Sequence, residues 1–289
     1  MSGLGELMGR VEEVHLPEGA VAALRRAAGS VRSSPGGGDL LSGRRIRHPA
    51  HPALVVLPLG SWSAALLLDL LGGRSSRRAA RRLTGIGVLG AAPAVLAGLD
   101  DWLDTTGPEQ QVGALHAAAN LAAAGGWALS WRLRKRHHAA GVLAGLAATT
   151  AAATGGWLGG HLTYAMGVGV DTNAFSAGPS TWTAYPAPVE AGTMSAATVA
   201  GATLAATRLA DGPAVLSGRC SHRGGPLGDG EVSDGCVTCP WHGSRFDLRS
   251  GQVRRGPAVR PQPVYETRDV DGAVDVRRAE PRSMRTNPV

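Results

Sequence analysis

The sequence predicts a two-part membrane protein: an N-terminal bundle of four transmembrane helices, then a small all-β domain, an antiparallel β-sandwich with two ligand-bearing loops. Three observations predict it. Four apolar stretches at 53–71, 83–103, 112–131 and 139–162 each have about the 20 residues that cross a hydrocarbon core. Residues 165–188 then turn to Gly, Pro, Ser and Thr, the composition of a linker. Beyond them, short β-prone runs are parted by Gly, Pro and Asp, and carry the spacing Cys220-x-His222…Cys239-x-x-His242.

Residues 1–50 form a polar segment with a short helix around 21–28 and a Gly/Ser/Pro stretch. Its mixed charge predicts no secretory signal, and no function is assigned to it. The helices that follow lack the polar face of a soluble bundle. Residues 83–99 carry no charge, and 139–154 are all small, apolar or Thr. Such small residues suit close helix approach in lipid.

Folding the 51–164 region up and down brings His51, Asp100, Asp101, His116, Asn120 and His161 to one membrane face. Ionisable groups within spans are costly and usually functional. A shared polar site is therefore expected there, able to take a b-type haem, a quinone or a metal. Asp69 and Asp171 lie near span ends and are read as solvated.

The linker, about 20 residues, would reach about 70 Å when extended, enough for a mobile head. In the domain at 189–278, strands are expected near 203–208, 214–216, 235–238 and 273–277, separated by turn residues. A basic tail at 279–289 is read as solvated.

The two Cys/His loops carry the chemistry. Zinc sites usually follow C-x₂₋₄-C with H-x₃₋₅-H, whereas here one thiol and one imidazole alternate within each loop. Zinc stays as the lesser reading. The flanks, His222-Arg-Gly-Gly-Pro-Leu227, Cys239-Pro-Trp-His-Gly-Ser-Arg-Phe-Asp247 and Ser250-Gly-Gln-Val253, resemble the cluster loops of the Rieske ferredoxin family. That resemblance, over about residues 185–278, implies one [2Fe–2S] cluster per chain. Cys220 and Cys239 would hold one iron, His222 and His242 the other, a ligand set that raises the potential. Cys236 forms C-x-x-C with Cys239 but is read as a buried free cysteine.

Rieske proteins of the cytochrome bc type carry a further cysteine in each loop, at positions matching Gly225 and Trp241, so no such disulfide forms here. They also have a tyrosine where this chain has Phe246. Ser244 is retained and could donate to a cluster sulfur. Hydrogen bonds to sulfur tune the potential, so the resemblance implies a value toward the low end of the Rieske range. The first half also resembles a family of small four-helix membrane domains of unassigned function. The matching residues are His51-Pro-Ala-Leu-Val with Leu-Pro-Leu-Gly60, Asp100-Asp-Trp-Leu-Asp104 and His116-x-x-x-Asn120.

The chain is 44% apolar with net charge +7. Its arginines cluster between apolar runs rather than along one face, which argues against nucleic acid. Three cysteines give no disulfide framework, and no nucleotide-binding glycine fingerprint appears. Five arginines lie in 72–82 and four cationic residues in 132–138, against Arg44, Arg45 and Arg47 at the other face. The positive-inside rule therefore places the β-domain outside the cytoplasm of a multi-pass cell-membrane protein. A cluster that needs no disulfide argues the other way.

The reading is a one-electron carrier between a membrane donor, quinol or haem, and a protein partner. A redox sensor or accessory module is the alternative. A self-contained oxygenase is not expected, because it needs a second domain with a 2-His-1-carboxylate iron.

Overall fold

A computed structural model describes residues 11–14, 16–33 and 41–278. The basic tail at 279–289 and parts of the N-terminal segment lie outside the described residues. The chain divides into two compact units, Met1–Val168 and Gly169–Val289.

In the first unit, helix α1 spans Glu18–Arg32, longer at both ends than expected. Helix α2, His51–Leu54, runs through Val55 into α3, Val56–Leu71. Helices α4 (Arg77–Trp102), α5 (Gly107–Leu133) and α6 (His138–Tyr164) follow. Among the described residues three helical stretches are long and apolar enough to cross a membrane: His51–Leu71, Arg74–Trp102 and His138–Tyr164. The fourth expected span, α5, forms a helix of sufficient length but is not among them. Glu109, Gln110, Gln111, His116, Asn120 and Arg132 all lie on it and lower its hydropathy.

Large and small residues interlock in this bundle. Trp62 on α3 and Trp127 on α5 stack with centroids 5.4 Å apart and planes 5° from parallel. Each leans on a glycine of a neighbouring helix: a Cβ on Gly87 would lie 2.3 Å from Trp62, and one on Gly145 3.0 Å from Trp127. An alanine would force the helices apart, because interiors are packed without spare volume.

Asp69 corrects the sequence reading, since it is not solvated. It pairs with Arg134 at 2.6 Å, the two side chains being 1% and 0% exposed. Arg134 Nε also donates to Ser130 Oγ at 3.0 Å, and Ser130 Oγ donates to the Gly141 carbonyl. An ion pair removed from water is costly unless hydrogen bonds support it, and Arg134 Nη1 to Asp69 Oδ1 at 2.8 Å and Arg134 Nε to Ser130 supply part of that support.

The second unit is all β. A six-stranded antiparallel sheet has the order β1 (Thr183–Ala184), β10 (Ala273–Arg278), β9 (Val264–Val270), β4 (Gly212–Ser217), β3 (Ala202–Leu209) and β2 (Ser195–Val199). A smaller sheet joins β5 (Glu231–Ser233), β6 (Cys236–Thr238), β7 (Arg245–Asp247) and β8 (Val253–Arg255). Three hairpins turn on Ala200-Gly201, Asp234-Gly235 and Asp271-Gly272, with positive φ at both residues. Two-residue turns of this kind match the natural strand twist.

Side chains alternate along the central strands, as a pleated strand requires. Ala214 and Leu216 face one core with Val237, Phe246 and Leu248 of the small sheet and its following turn. Val215 faces a second core with Tyr185, Leu204 and Val276. Both faces of β4 are therefore buried.

The linker is also corrected. Met166 and Val168 pack with Val112, Leu158 and Leu162 in the first unit. Asp171 accepts the Asn173 N–H at 3.0 Å, Asn173 Nδ2 donates to the Arg219 carbonyl at 2.9 Å, and Tyr185 is buried in the second unit. The Gly/Pro/Ser/Thr composition here marks irregular backbone that is nonetheless packed, and only Gly169 and Val170 separate the two sets of contacts. Asp171, likewise, caps a turn instead of standing free.

Candidate functional site

Two loops of the β unit share one backbone design. In the first, Cys220 N–H donates to the Gly225 carbonyl at 2.9 Å, and Gly224 N–H returns to the Cys220 carbonyl at 2.8 Å. In the second, Cys239 N–H donates to the Ser244 carbonyl at 2.8 Å, and Gly243 N–H returns to Cys239 at 3.0 Å. Gly224 and Gly243, each four residues after its cysteine, have φ of 74° and 71°. Only glycine takes that conformation at no steric cost.

The loops bring Cys220 and Cys239 together as buried neighbours, and set the His222 and His242 rings edge-on with centroids 5.1 Å apart. Backbone N–H groups of His222 and Arg223 point at the Cys220 sulfur, and those of Trp241 and His242 at Cys239. Such donors favour the thiolate. The Cys220 S–H hydrogen bond, with these N–H groups, draws Cys239 down to about 6. Cys239 beside it, and burial, push Cys220 up.

The donor set fits a two-iron cluster: thiols paired with thiols, imidazoles with imidazoles.

Close packing surrounds the sulfurs. A Cβ on Gly225 would lie 2.7 Å from Cys239 Sγ and 3.1 Å from the Trp241 ring. Trp241 is itself 58% exposed. Ser244 is buried, and its Oγ accepts the Ala258 N–H at 3.0 Å, so its hydroxyl proton is left to donate. Phe246 is fully buried in the core between the sheets. Cys236 begins β6, buried.

Three residues outside the Cys/His motif hold the first loop. Gln262 is buried; its Oε1 accepts the Ser221 N–H at 3.0 Å, and its Nε2 donates to the Ser217 and Arg219 carbonyls. Asn173 accepts from Ser217 Oγ at 2.6 Å, and Thr172 Oγ1 donates to the Cys220 carbonyl at 2.9 Å. The only signal in the sequence was a polar residue between two prolines, Pro261-Gln262-Pro263.

In the helical unit the expected shared polar site divides into three. His51 and His116 meet edge-on with ring centroids 6.1 Å apart. Their Nδ1 atoms are hydrogen-bonded to the Ala94 carbonyl at 2.8 Å and the Gly155 carbonyl at 2.7 Å. Asn120 Nδ2 donates to the His116 carbonyl at 2.8 Å and sits 3.3 Å from both nitrogens of that ring, hence over its face.

Asp100, with Asp104, is instead taken by Arg32 of α1 at 2.6 and 2.8 Å, and Asp101 lies in the same charge cluster. His161 Nε2 meets Glu12 at 2.8 Å. Leu16, Arg32 and Glu12 thus reach this end of the bundle from the N-terminal segment, and the charges of Arg32 and Glu12 lie outside the four apolar runs.

Fold and donors define an iron–sulfur module of the ferredoxin type. The chain belongs to the Rieske [2Fe–2S] family: residues 181–266 match the Rieske [2Fe-2S] domain, and residues 47–172 match the family described as predicted membrane protein (DUF2231). The anthranilate 1,2-dioxygenase ferredoxin subunit of Burkholderia cepacia is 42% identical over 73 residues, 25% of this chain and 68% of that protein. Aminopyrrolnitrin oxygenase PrnD of Pseudomonas fluorescens is 47% identical over 51 residues, 17% of this chain and only 14% of that protein. The ferredoxin of carbazole 1,9a-dioxygenase from Nocardioides aromaticivorans IC177 is similar over 35% of this chain and 100% of its own, with 26% identity and a TM-score of 0.33.

Proposed function

We propose that this chain is a membrane-anchored carrier of single electrons, in which Cys220, Cys239, His222 and His242 hold a [2Fe–2S] cluster. The observation that carries it is the paired donor set at the tips of two matched loops, its sulfurs already facing four backbone N–H groups. When bound, such a cluster takes up and releases one electron at a time. The residues around it do the rest. Gly224 and Gly243 fix the loop shape, Gln262 ties the first loop to β4, and Ser244 orients a hydroxyl beside the second. His222 and His242 are half-buried, which leaves ring edges toward solvent where a protein partner can dock. The ferredoxin subunit above is part of a dioxygenase by its name, and an electron-accepting protein partner of this chain is our inference from it.

The helical unit is the anchor. We read α5 as a fourth span despite its lower hydropathy, its polar residues being turned onto neighbouring helices, as Asn120 and His116 are onto α6 at Gly155 and Gly159. The donor of electrons is placed at His51 and His116. Each ring gives Nδ1 to a backbone carbonyl, which fixes the tautomer that leaves the Nε2 lone pair open. A b-type haem held there would be ligated by His51 and His116 and would supply single electrons to the cluster.

Optical and EPR spectra of the detergent-purified protein, oxidised and dithionite-reduced, test both parts. A low average g signal that is lost in Cys239→Ser supports the cluster assignment; zinc without such a signal would sink it. Reduced haem bands that vanish in both His51→Ala and His116→Ala support haem as the donor. No haem, but cluster reduction by added quinol that depends on either histidine, would make the donor a quinol. Cluster loss on oxidation without electron transfer would favour the sensor reading.

A further inference from the structure

We propose that the arginine-rich end of the helical unit holds a binding site for the phosphate of an anionic phospholipid. A cavity of about 390 Å³ opens where the start of α4 meets the end of α5. It is lined by Arg81, Trp131, Arg132, Lys135 and Arg136, with no carboxylate among them. Trp131 lies against α4, where a Cβ on Gly85 would come 2.8 Å from its Nε1. Arg81 stacks over the same ring, 5.8 Å from its centroid.

No carboxylate offsets the charge of this cavity. Elsewhere in the molecule Arg32, Arg134, Arg208, Arg245, Arg249 and Arg268 each have a carboxylate partner. Among the described residues none of the four cations of the cavity has one, and Asp69, the acidic residue nearest in sequence, is used by Arg134. Arg81 Nε is buried without a hydrogen-bond partner. A buried donor left unmet costs about as much as a lost hydrogen bond, so the guanidinium is set for an acceptor the protein does not supply.

Phosphate oxygens match that need. Arg offers a planar fork to two of them while Lys adds a point charge. A tryptophan at a helix end belongs at headgroup level, and basic pockets between spans are where anionic headgroups bind. A lipid meets all three features at once: phosphate for Arg81, Arg132 and Lys135, a glycerol edge for the indole, and acyl chains beside the apolar helices.

The test titrates dioleoyl phosphatidylglycerol into the whole, detergent-solubilised protein, with phosphatidylcholine as reference, and reads bound lipid by native mass spectrometry. Arg132→Ala/Lys135→Ala removes two cavity charges. Arg74→Ala/Arg78→Ala removes two exposed charges from the same end of the bundle but outside the cavity. The first pair is expected to weaken phosphatidylglycerol binding about thirtyfold at about fivefold per charge, the second by less than about threefold. Arg81→Lys, which keeps the charge but loses the fork, is expected to fall between. A retained Rieske EPR signal and helical circular dichroism show that each variant is folded.

Equal losses in the two double variants would reduce the effect to general surface potential and overturn the site, as would no loss in either. Inorganic phosphate is the second probe. If it binds as tightly as phosphatidylglycerol and with the same dependence on Arg132 and Lys135, the ligand is a free phosphate and the lipid assignment falls.

Discussion

At the residue scale, the proposed cluster ligands were legible because their chemistry is local: thiol, imidazole and spacing lie within two short runs. Gly225 shows how far that legibility reached. Its lack of a side chain could be read as the absence of a disulfide, but not its reason, which is the Cys239 sulfur where a Cβ would stand. Gln262 and Asn173 were invisible because their partners, the Ser217 and Arg219 backbone and the Ser217 hydroxyl, are about 44 residues distant in sequence. Ser244 carries a direct prediction. Its hydroxyl accepts the Ala258 N–H and keeps its own proton to donate, whereas Phe246 has none to give. Removing a hydrogen bond worth about 1–2 kcal/mol to the reduced cluster lowers a one-electron potential by about 40–90 mV. Ser244→Ala should therefore shift the EPR-monitored midpoint down by that amount from a wild-type value near the lower Rieske limit of about −150 mV. An unchanged midpoint would mean that the hydroxyl does not reach the cluster.

At the element scale, strands and helices were found but their ends moved. Helix α4 begins six residues before the apolar run, since arginines continue a helix as well as they end a span. The three two-residue hairpin turns were foreshadowed by Asp-Gly and Ala-Gly pairs, but sheet order was not, because pairing of β9 with β4 joins segments far apart in the chain. The turn after β7 has a pH signature. Burial alone would raise the Asp247 carboxyl, but Arg254, the N–H and O–H of Ser250 and the Arg249 N–H outweigh it and hold it at about 2. A carboxyl depressed on folding stabilises the native state above its unfolded value, about 3.9, and that stability is lost as pH falls through about 2. The melting temperature of the β unit should thus fall between pH 4 and 2, and Asp247→Asn should flatten that part of the curve while lowering the plateau at pH 7. The Asp69–Arg134 pair makes a second prediction at this scale. Asp69→Ala strands a buried guanidinium and should cost about 3–5 kcal/mol, whereas Asp69→Ala/Arg134→Leu should recover most of it in denaturant unfolding of the detergent-solubilised protein.

On the scale of the whole molecule, the two-unit division was plain from composition, whereas sidedness is a prediction from charge. Five arginines in 72–82 and four cationic residues in 132–138 lead the positive-inside rule to predict a β unit outside the cytoplasm. A C-terminal phosphatase fusion, which matures only outside the cytoplasm, should be active, and a fluorescent-protein fusion made in the same way should glow only if it stays inside. The reverse pair of results would place the β unit in the cytoplasm. What the composition hid was how little slack joins the halves. Contacts of the helical unit run to Val168, and those of the β unit begin at Asp171. Two residues extended reach about 7 Å, with glycines of positive φ at 167 and 169. Thr172, next along the chain, donates to the Cys220 carbonyl, so the segment that enters the β unit also steadies the loop carrying the first thiol.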